Sequence, residues 1–370
     1  MKKREFVTMK LDVLFIGNKF RNNEPLRSYA LRNIEKSLGF VDSVSYYKES
    51  DNALFLYLEE LLQTKSRFLI ITSKQNFSTI GKLLCTITAD NQVLKDGMLI
   101  PQGATIYDEG TYLLEYKSTY VNVMHLDEGQ KMPQILLSDD MAHAFVHIFE
   151  EKIEDLQTIL NPLAQTYDVT LEMTYYVDEW VCVNISSNKY GDISKFIHAA
   201  KKLLPKKLIA SSNVIEYIID RLSHKGKKVT FAESCTGGLL AYYFTKHNGA
   251  SKILDGSLVT YSNALKENWL AVSQEILVEN GAVSSAVVAE MSEGALNVSQ
   301  ADYALSISGI AGDTGGTKEK PVGTVYIGVR SKTHHEERHF LFAGDRNYVQ
   351  HQSALMAIKM LILLDRETFF

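Results

Sequence analysis

The stretch KVTFAESCTGGLLAYYFT, residues 228–245, decides the fold of the C-terminal part of the chain. Its first residues alternate as in a β-strand, and LLAYYFT has the apolar content of a helix. A polar run and two glycines stand between them, so the polar groups lie at a strand-to-helix turn. Unpaired N–H groups at a helix start can receive an anion or a developing oxyanion. The turn is therefore either a functional site or a simple helix cap.

Composition limits the class of protein. The 370 residues predict two or three domains, and the formal net charge of −5 gives no support to general nucleic-acid binding. Three scattered cysteines, Cys85, Cys182 and Cys235, form neither a disulfide framework nor a zinc site and suit a reducing compartment. No apolar run reaches the roughly 18–20 residues that a membrane span needs. We expect a cytoplasmic protein that does not contact membranes.

The N-terminal half alternates short apolar strands with helical segments from Leu11 onward, which predicts βαβ units and a parallel sheet. Residues 93–137 are rich in strand and turn signals. A helix is predicted over about 139–160, with Asn161-Pro162 at its end. Residues 1–165 are accordingly predicted to be an α/β domain.

The rest of the chain contains two further predicted domains. Residues 166–206 combine alternating strand patterns with a short helix and predict a small α+β module. Residues 207–370 return to alternating helices and strands and predict a second α/β domain. Its predicted strands are 228–234, 256–262, 303–312, 323–331 and 337–344, followed by a long helix from Arg346.

Four clusters of small and polar residues stand at predicted strand ends in this last domain, where ligands of α/β sheets bind. They are ESCTGG (233–238), TYSNALK (260–266), SISGIAGDTGG (306–316) with KPVGT (320–324), and AGDR (343–346).

Ser234 and Lys266 could form a catalytic pair. A serine is a poor nucleophile until a base takes its proton, and lysine is such a base when burial lowers its pKa. Sequence separation does not decide whether the two residues meet. Tyr261 could relay a proton or pack on a planar ring, or be an ordinary half-buried strand residue.

Backbone and arginine groups could bind an anion. The N–H groups of Thr236, Gly237 and Gly238 suit a phosphate or an oxyanion because glycine lets a ligand approach the main chain, although such a turn can be a simple bend. Ser308 opens a glycine-rich loop that could wrap a ligand. Arg346 could hold a phosphate or carboxylate through two hydrogen bonds, or form a surface ion pair.

A metal site is not expected. His334 and His335 are adjacent and point to opposite faces of a strand, and His339 follows with no ligand cluster. No cofactor is predicted. Cys235 beside Ser234 is interpreted as a small buried hydrophobic residue rather than a nucleophile.

Five motifs in one order resemble the C-terminal domain of the CinA (competence/damage-inducible protein A) family. They are ESCTGG, VTYSNALK, GAVSSAVVAEMSEGAL, SISGIAG followed by EKPVGTV, and GDR before a long helix. Members of that family are pyridine-nucleotide amidases, which hydrolyse the carboxamide of nicotinamide mononucleotide to give nicotinate mononucleotide and ammonia. The resemblance implies the same reaction here, in pyridine-nucleotide salvage, with nicotinamide mononucleotide as the small-molecule partner.

The resemblance also implies roles for particular residues. The family's serine, tyrosine and lysine correspond to Ser234, Tyr261 and Lys266, the hydroxyl residue before GIAG to Ser308, and the arginine of GDR to Arg346. Gly309 and Gly312 belong to the same glycine-rich loop and are expected to contact substrate. One departure is Asp313, where relatives commonly have proline; it changes the loop or adds a negative charge near an anionic substrate.

The N-terminal half resembles a molybdopterin-binding-like (MoaB/MogA-type) domain that has lost its ligand residues. The stretch TSKQNFS (72–78) stands where relatives carry a glycine-rich phosphate loop followed by two aspartates. Without them a pyrophosphate and a divalent ion lose their contacts, so this domain is expected to be an inactive scaffold. Residues 166–206 resemble a KH-like connecting module without the GxxG loop that binds RNA, and a homodimer is expected.

Two other hypotheses remain open from the sequence. The chain could be a nucleotide-binding or regulatory protein without catalysis, or it could keep ADP-ribose pyrophosphatase activity in the N-terminal domain.

Overall fold

The computed structural model describes residues 10–39, 41–64, 66–138, 142–187, 190–299, 301–312 and 314–370. The chain divides into two compact units, Met1–Asp140 and Met141–Phe370, called the first and second unit below. Both combine sheets with helices, which confirms the predicted α/β fold class. Within the described residues no helix is both long enough and apolar enough to cross a membrane.

The first unit is built around a six-stranded sheet in the order β2-β1-β3-β8-β7-β6. Strands β1, β2, β3 and β8 run parallel, as the βαβ pattern predicts. Its elements are β1 (Leu11–Ile16), α1 (Asn18–Asn22), α2 (Glu24–Leu38), β2 (Ser43–Tyr47), α3 (Ala53–Leu61), β3 (Arg67–Thr72), α4 (Lys74–Thr88), β4 (Gln92–Lys95), β5 (Met98–Pro101), β6 (Ala104–Asp108), β7 (Thr111–Tyr116) and β8 (Thr119–His125).

Both faces of this sheet are buried. Leu14 and Ile16 of β1 pack in one apolar cluster, while Val13 and Phe15 pack in another. Successive side chains of a strand point to opposite faces, so helices must cover both sides. This explains why the central strands of the unit are almost continuously apolar.

The second unit begins with a four-stranded antiparallel sheet in the order β10-β11-β9-β12. Its elements are β9 (Ala142–Phe149), α5 (Ile153–Tyr167), β10 (Val169–Val177), β11 (Trp180–Ser187), α6 (Ile193–Leu203) and β12 (Leu208–Ala210). The helix predicted over about 139–160 is therefore wrong over β9, which pairs with β11 and β12. Helix α5 also continues through Pro162 instead of ending there. The residues of β9 and α5, which the sequence assigned to the first predicted domain, thus pack with the small α+β module.

A five-stranded sheet in the order β14-β13-β15-β16-β17 forms the rest of the second unit. Strands β14, β13 and β15 are parallel, and β16 and β17 are antiparallel. The elements are α7 (Val214–His224), β13 (Val229–Glu233), α8 (Leu239–Thr245), a 3₁₀ turn (Ala250–Lys252), β14 (Leu254–Val259), α9 (Asn263–Leu270), α10 (Gln274–Asn280), α11 (Ser285–Ser299), β15 (Tyr303–Gly309), β16 (Thr324–Ser331), β17 (His335–Leu341), α12 (Arg346–Leu364) and α13 (Arg366–Phe369).

Helices cover both faces of this sheet as well. Ala232 and Ala304 pack on the side of α11, whereas Phe231 and Leu305 pack in the larger core that includes α12. The part of helix α12 from Ser353 to Ile362 is buried on almost all sides. Trp180 of the small module is part of the same large core.

Candidate active site

Three parallel strands end side by side and bring the polar motifs to one edge of the sheet. Glu233, the last residue of β13, is in register with Val259 of β14 and Ile307 of β15. The segments that follow these strands meet at the carboxyl edge, where ligands of such sheets bind. A cavity of about 270 Å³ lies there, and its walls include most of the predicted site residues. They are Ser234, Tyr261, Lys266, Ser308, Gly309, Gly312 and Arg346.

Ser234 and Lys266 are in contact at this cavity. The N–H of Ser234 donates to the carbonyl of Ile307 at 3.0 Å, which fixes the turn to the sheet. Lys266 lies in α9, whose N-cap Ser262 accepts from the N–H of Leu265. The Nζ atom of Lys266 is 3.2 Å from Oγ of Ser234. Ser234 is 8% exposed and Lys266 only 1% exposed, so the pair is shielded from solvent.

The surroundings of Lys266 favour the neutral amine. Its Nζ donates to the backbone carbonyls of Thr260 at 2.8 Å and Tyr261 at 3.4 Å. Burial lowers the pKa of Lys266 from its usual value. In the described part of the chain no carboxylate forms an ion pair with it. A neutral amine has two N–H groups, which suit the two carbonyls, and one lone pair left for the serine hydroxyl.

Glu233 is a site residue that the sequence analysis missed. Its fully buried carboxylate accepts hydrogen bonds from the N–H groups of Gly238, Leu240 and Ala241, each at 3.0 Å. The hydroxyl of Ser257 donates to it at 2.9 Å. A carboxylate at a helix start is stabilised by the N–H groups and the helix dipole. The start of α8 is therefore already filled by a group of the chain itself.

This arrangement corrects one expectation about the turn. The N–H of Gly238 donates to Glu233, and that of Gly237 donates to the carbonyl of Ser234 at 3.1 Å. Neither these glycines nor Thr236 line the cavity. Among the described residues, no backbone carbonyl accepts from the N–H groups of Cys235 and Thr236. Of the turn residues after Ser234, Cys235 lines the cavity.

Cys235 has the environment that was predicted for it. It is 4% exposed, and burial raises the pKa of its thiol to about 12. The thiolate is the reactive form of cysteine, so this thiol is a poor nucleophile at neutral pH. Its carbonyl accepts from Nε2 of Gln350 at 2.7 Å, which ties the turn to α12.

Arg346 and Tyr261 meet at the mouth of the cavity. Nη2 of Arg346 donates to the Tyr261 hydroxyl at 2.9 Å, and a Cβ on Gly312 would lie 2.6 Å from Nη1 of the same guanidinium. Tyr261 is 61% exposed and lies beyond the end of β14, so it is not a half-buried strand residue. Arg346 begins α12, where Asp345 caps the helix through the N–H of Tyr348. No carboxylate of the described residues pairs with Arg346, so its charge is available.

Ser308 and Lys320 hold another wall in place. The Ser308 hydroxyl donates to the carbonyl of Ala282 at 2.7 Å. Lys320, which the sequence analysis did not single out, donates to the carbonyls of Asn280 and Val283 at 2.8 and 2.7 Å. Both interactions fasten the segment before α11 against the cavity. The prediction about Asp313 concerns a residue outside the described ranges.

Gly309 has a packing reason to be glycine. A Cβ there would lie 2.7 Å from Cγ2 of Val325 and 2.9 Å from the carbonyl oxygen of Thr324. Only a residue without a side chain lets the end of β15 lie this close to β16.

Comparison with known proteins places the C-terminal part in a family. The CinA C-terminal domain family matches residues 211–364. A CinA-like protein of Thermotoga maritima is 44% identical over 146 residues, 40% of this chain and 36% of that protein. A CinA-like protein of Syntrophotalea carbinolica is 39% identical over 166 residues, 45% of this chain and 40% of that protein. The chain thus matches 36–40% of the length of these relatives.

A solved structure is similar to this part of the chain. The crystal structure of the competence/damage inducible protein CihA from Agrobacterium tumefaciens is 36% identical, with a TM-score of 0.41, and the match covers 41% of this chain and 93% of that one. The family match spans all four polar clusters around the cavity, from the turn after β13 to the start of α12. Residues 211–364 of this chain are therefore a CinA C-terminal domain.

Proposed function

We propose that the second unit hydrolyses the carboxamide of nicotinamide mononucleotide to nicotinate mononucleotide and ammonia. One observation carries the proposal: a shielded Ser234 hydroxyl lies 3.2 Å from the amine of Lys266, whose pKa is lowered by burial, on the wall of a cavity. A nucleophile beside a neutral base is the arrangement that acyl transfer needs. The substrate is the one that the family resemblance implies.

The reaction follows from the roles of these groups. Lys266 accepts the proton of Ser234 as Oγ attacks the carboxamide carbon, and a tetrahedral oxyanion forms. The N–H group of Cys235, which directly follows the nucleophile and lines the cavity, suits this oxyanion. The protonated Lys266 then gives its proton to the leaving nitrogen, and ammonia departs. Water attacks the resulting ester, loses its proton to Lys266, and Ser234 regains that proton as the acid leaves.

The substrate phosphate belongs at the mouth of the cavity in this proposal. Glu233 fills the start of α8 with negative charge, so that helix start repels an anion. No carboxylate of the described residues pairs with the positive charge of Arg346, which lies beside Tyr261. A guanidinium binds phosphate through paired hydrogen bonds, and this end of the site is therefore assigned to the phosphate.

A structural role is proposed for the first unit. Its α4 helix start resembles a phosphate site in position, but the N–H of Lys74 donates to the Asp127 carboxylate at 2.9 Å. Lys19 pairs with the same carboxylate. The chain's own acid thus occupies this helix start, and incubation with ADP-ribose and divalent metal should yield no ribose 5-phosphate.

The test is direct. Purified protein is incubated with nicotinamide mononucleotide, and ammonia and nicotinate mononucleotide are quantified. Equal amounts of both products are expected. Nicotinamide riboside, which lacks the phosphate, should be turned over far more slowly. Tight binding without ammonia release would instead favour a nucleotide-binding protein without catalysis.

A further inference from the structure

The buried carboxylate of Glu233 has more hydrogen-bond donors than a helix cap needs. Three backbone N–H groups of the α8 start and the Ser257 hydroxyl of β14 all donate to it, at 2.9–3.0 Å. It thereby links strand β13, helix α8 and strand β14 at one point. The adjacent residue is Ser234.

We propose that Glu233 is a positioning residue that sets Ser234 Oγ against Lys266 Nζ. The inference rests on the proposed amide hydrolysis. Two glycines in the left-handed region, Gly237 and Gly238 with φ of 59° and 101°, make the turn tight but add no side-chain contacts to hold it. The bonds to Glu233 fix the end of that turn, while Ile307 fixes its beginning at the Ser234 N–H.

Only a carboxylate satisfies this set of partners. All four groups are donors, and an ionised carboxylate is acceptor-only. A glutamine of the same size would aim an NH₂ group at N–H or O–H donors, so some of the four bonds would be lost. Because the pair is held within hydrogen-bond distance, a small shift of the turn separates Ser234 from its base. Displacement of about 1 Å at a reacting group can cost about 10²-fold in rate.

The experiment compares Glu233→Gln with a matched control. Glu290→Gln removes a carboxylate that accepts from the N–H of Ser273 at 2.7 Å, next to another helix start of the same unit but away from the cavity. Both variants lose a bond between a carboxylate and a helix start. For Glu233→Gln we expect kcat about 10²-fold lower with KM within about threefold of the parent. Glu290→Gln should keep both constants within about twofold.

A second variant guards against misfolding. Ser257→Ala removes one of the four bonds and leaves the buried carboxylate with its three N–H partners. We expect kcat to fall about 3–10-fold, again with little change in KM. Parental kcat in Glu233→Gln, or in Ser257→Ala if the first variant does not fold, overturns the inference. A fall in which KM rises in proportion overturns it as well. A parent protein that releases no ammonia refutes the proposed function instead.

Discussion

Lys266 is a buried amine in contact with a serine hydroxyl. A buried ammonium without a carboxylate partner is costly, because transfer from water into the protein disfavours the charged form. The two carbonyls of Thr260 and Tyr261 give partial compensation only. Lys266 thus places an amine at a buried position where most proteins would have an apolar residue. The pH dependence of the proposed activity should show the protonation of this amine.

The first prediction concerns that profile. In the proposed mechanism Lys266 must be neutral, so kcat/KM should rise with pH as the amine loses its proton. Burial lowers the pKa of Lys266, which places the midpoint of this limb below 10.5. Initial rates are measured over about pH 6–10. Lys266→Met should abolish the rise of kcat/KM with pH along with most of the activity. If the residual activity of that variant rises with pH as in the parent, a group other than Lys266 causes the rise.

The second prediction concerns the nucleophile. Ser234→Ala removes the attacking oxygen and should lower kcat by roughly 10⁴-fold or more. Substrate affinity, measured by calorimetry, should stay close to that of the parent because the cavity wall is otherwise intact. The neighbouring Cys235→Ala is the matched control and should retain most of the activity. Comparable losses in both variants would contradict the role given to Ser234.

At this scale the sequence singled out Ser234 and Lys266, which the structure brings into contact, but it did not reveal the groups that hold them. Ser234 and Lys266 stood out because their side chains have recognisable chemistry. Glu233 and Lys320 stand in two of the quoted clusters but were given no role, because most of their partners are backbone groups, which every residue possesses and no motif displays. Such partners become visible only when the path of the chain is known.

The packing of helix α11 against helix α9 positions Lys266, which lies in α9. Gly294 of α11 lies against the C-terminal end of α9, and a Cβ there would be 2.0 Å from the carbonyl oxygen of Leu270. The residue is buried and lies in a regular helix, so close helix contact rather than backbone conformation explains the glycine. The position of the base is thus tied to one contact between two helices.

The third prediction follows from this contact. Alanine normally stabilises a helix relative to glycine by about 1 kcal/mol, but Gly294→Ala should destabilise the protein and lower kcat, since α9 must move. Thermal unfolding and ammonia release measure the two effects. Val298→Ala, at an exposed position of the same helix, should change neither appreciably. A more stable, fully active Gly294→Ala protein would disprove the contact argument.

Elements were predicted well where periodicity was unambiguous. The central strands of both units and the start of α12 at Arg346 agree with the sequence. Strand β9 was mistaken for helix because its apolar residues also fit a helical period, and its pairing with β11 and β12 comes from distant segments. Pro162 lies inside α5 because the amphipathic packing of that helix outweighs one lost backbone bond.

On the scale of the second unit, the small module and the CinA C-terminal domain share one core. Trp180 and Phe149 of the module pack in the same apolar cluster as Phe231 beside the active site. The Trp180 indole N–H donates to Nδ1 of His147 at 3.2 Å, which places the ring proton on Nε2. His147 is 1% exposed, and burial lowers its pKa to about 4.

The fourth prediction is acid sensitivity of this unit. The unfolded chain binds a proton at His147 near pH 6.5, whereas the folded chain resists it until about pH 4. Stability should therefore be complete above pH 6.5 and fall as the pH drops toward 4, by on the order of 3 kcal/mol. Urea unfolding at several pH values measures it. His147→Gln should flatten the acid limb, and His198→Gln, at an exposed site on α6, should not. An equal loss of stability toward acid pH in the parent and both variants would exclude His147 as its cause.

Glu233 already accepts hydrogen bonds from the N–H groups at the start of α8 in the free protein. The turn that follows Glu233 is therefore held in place without a bound anion. In the proposed reaction, Oγ of Ser234 is therefore beside Lys266 before a nucleotide binds. Product should consequently accumulate from the moment of mixing with no slow onset, and acylating reagents should modify Ser234 in the protein without nucleotide.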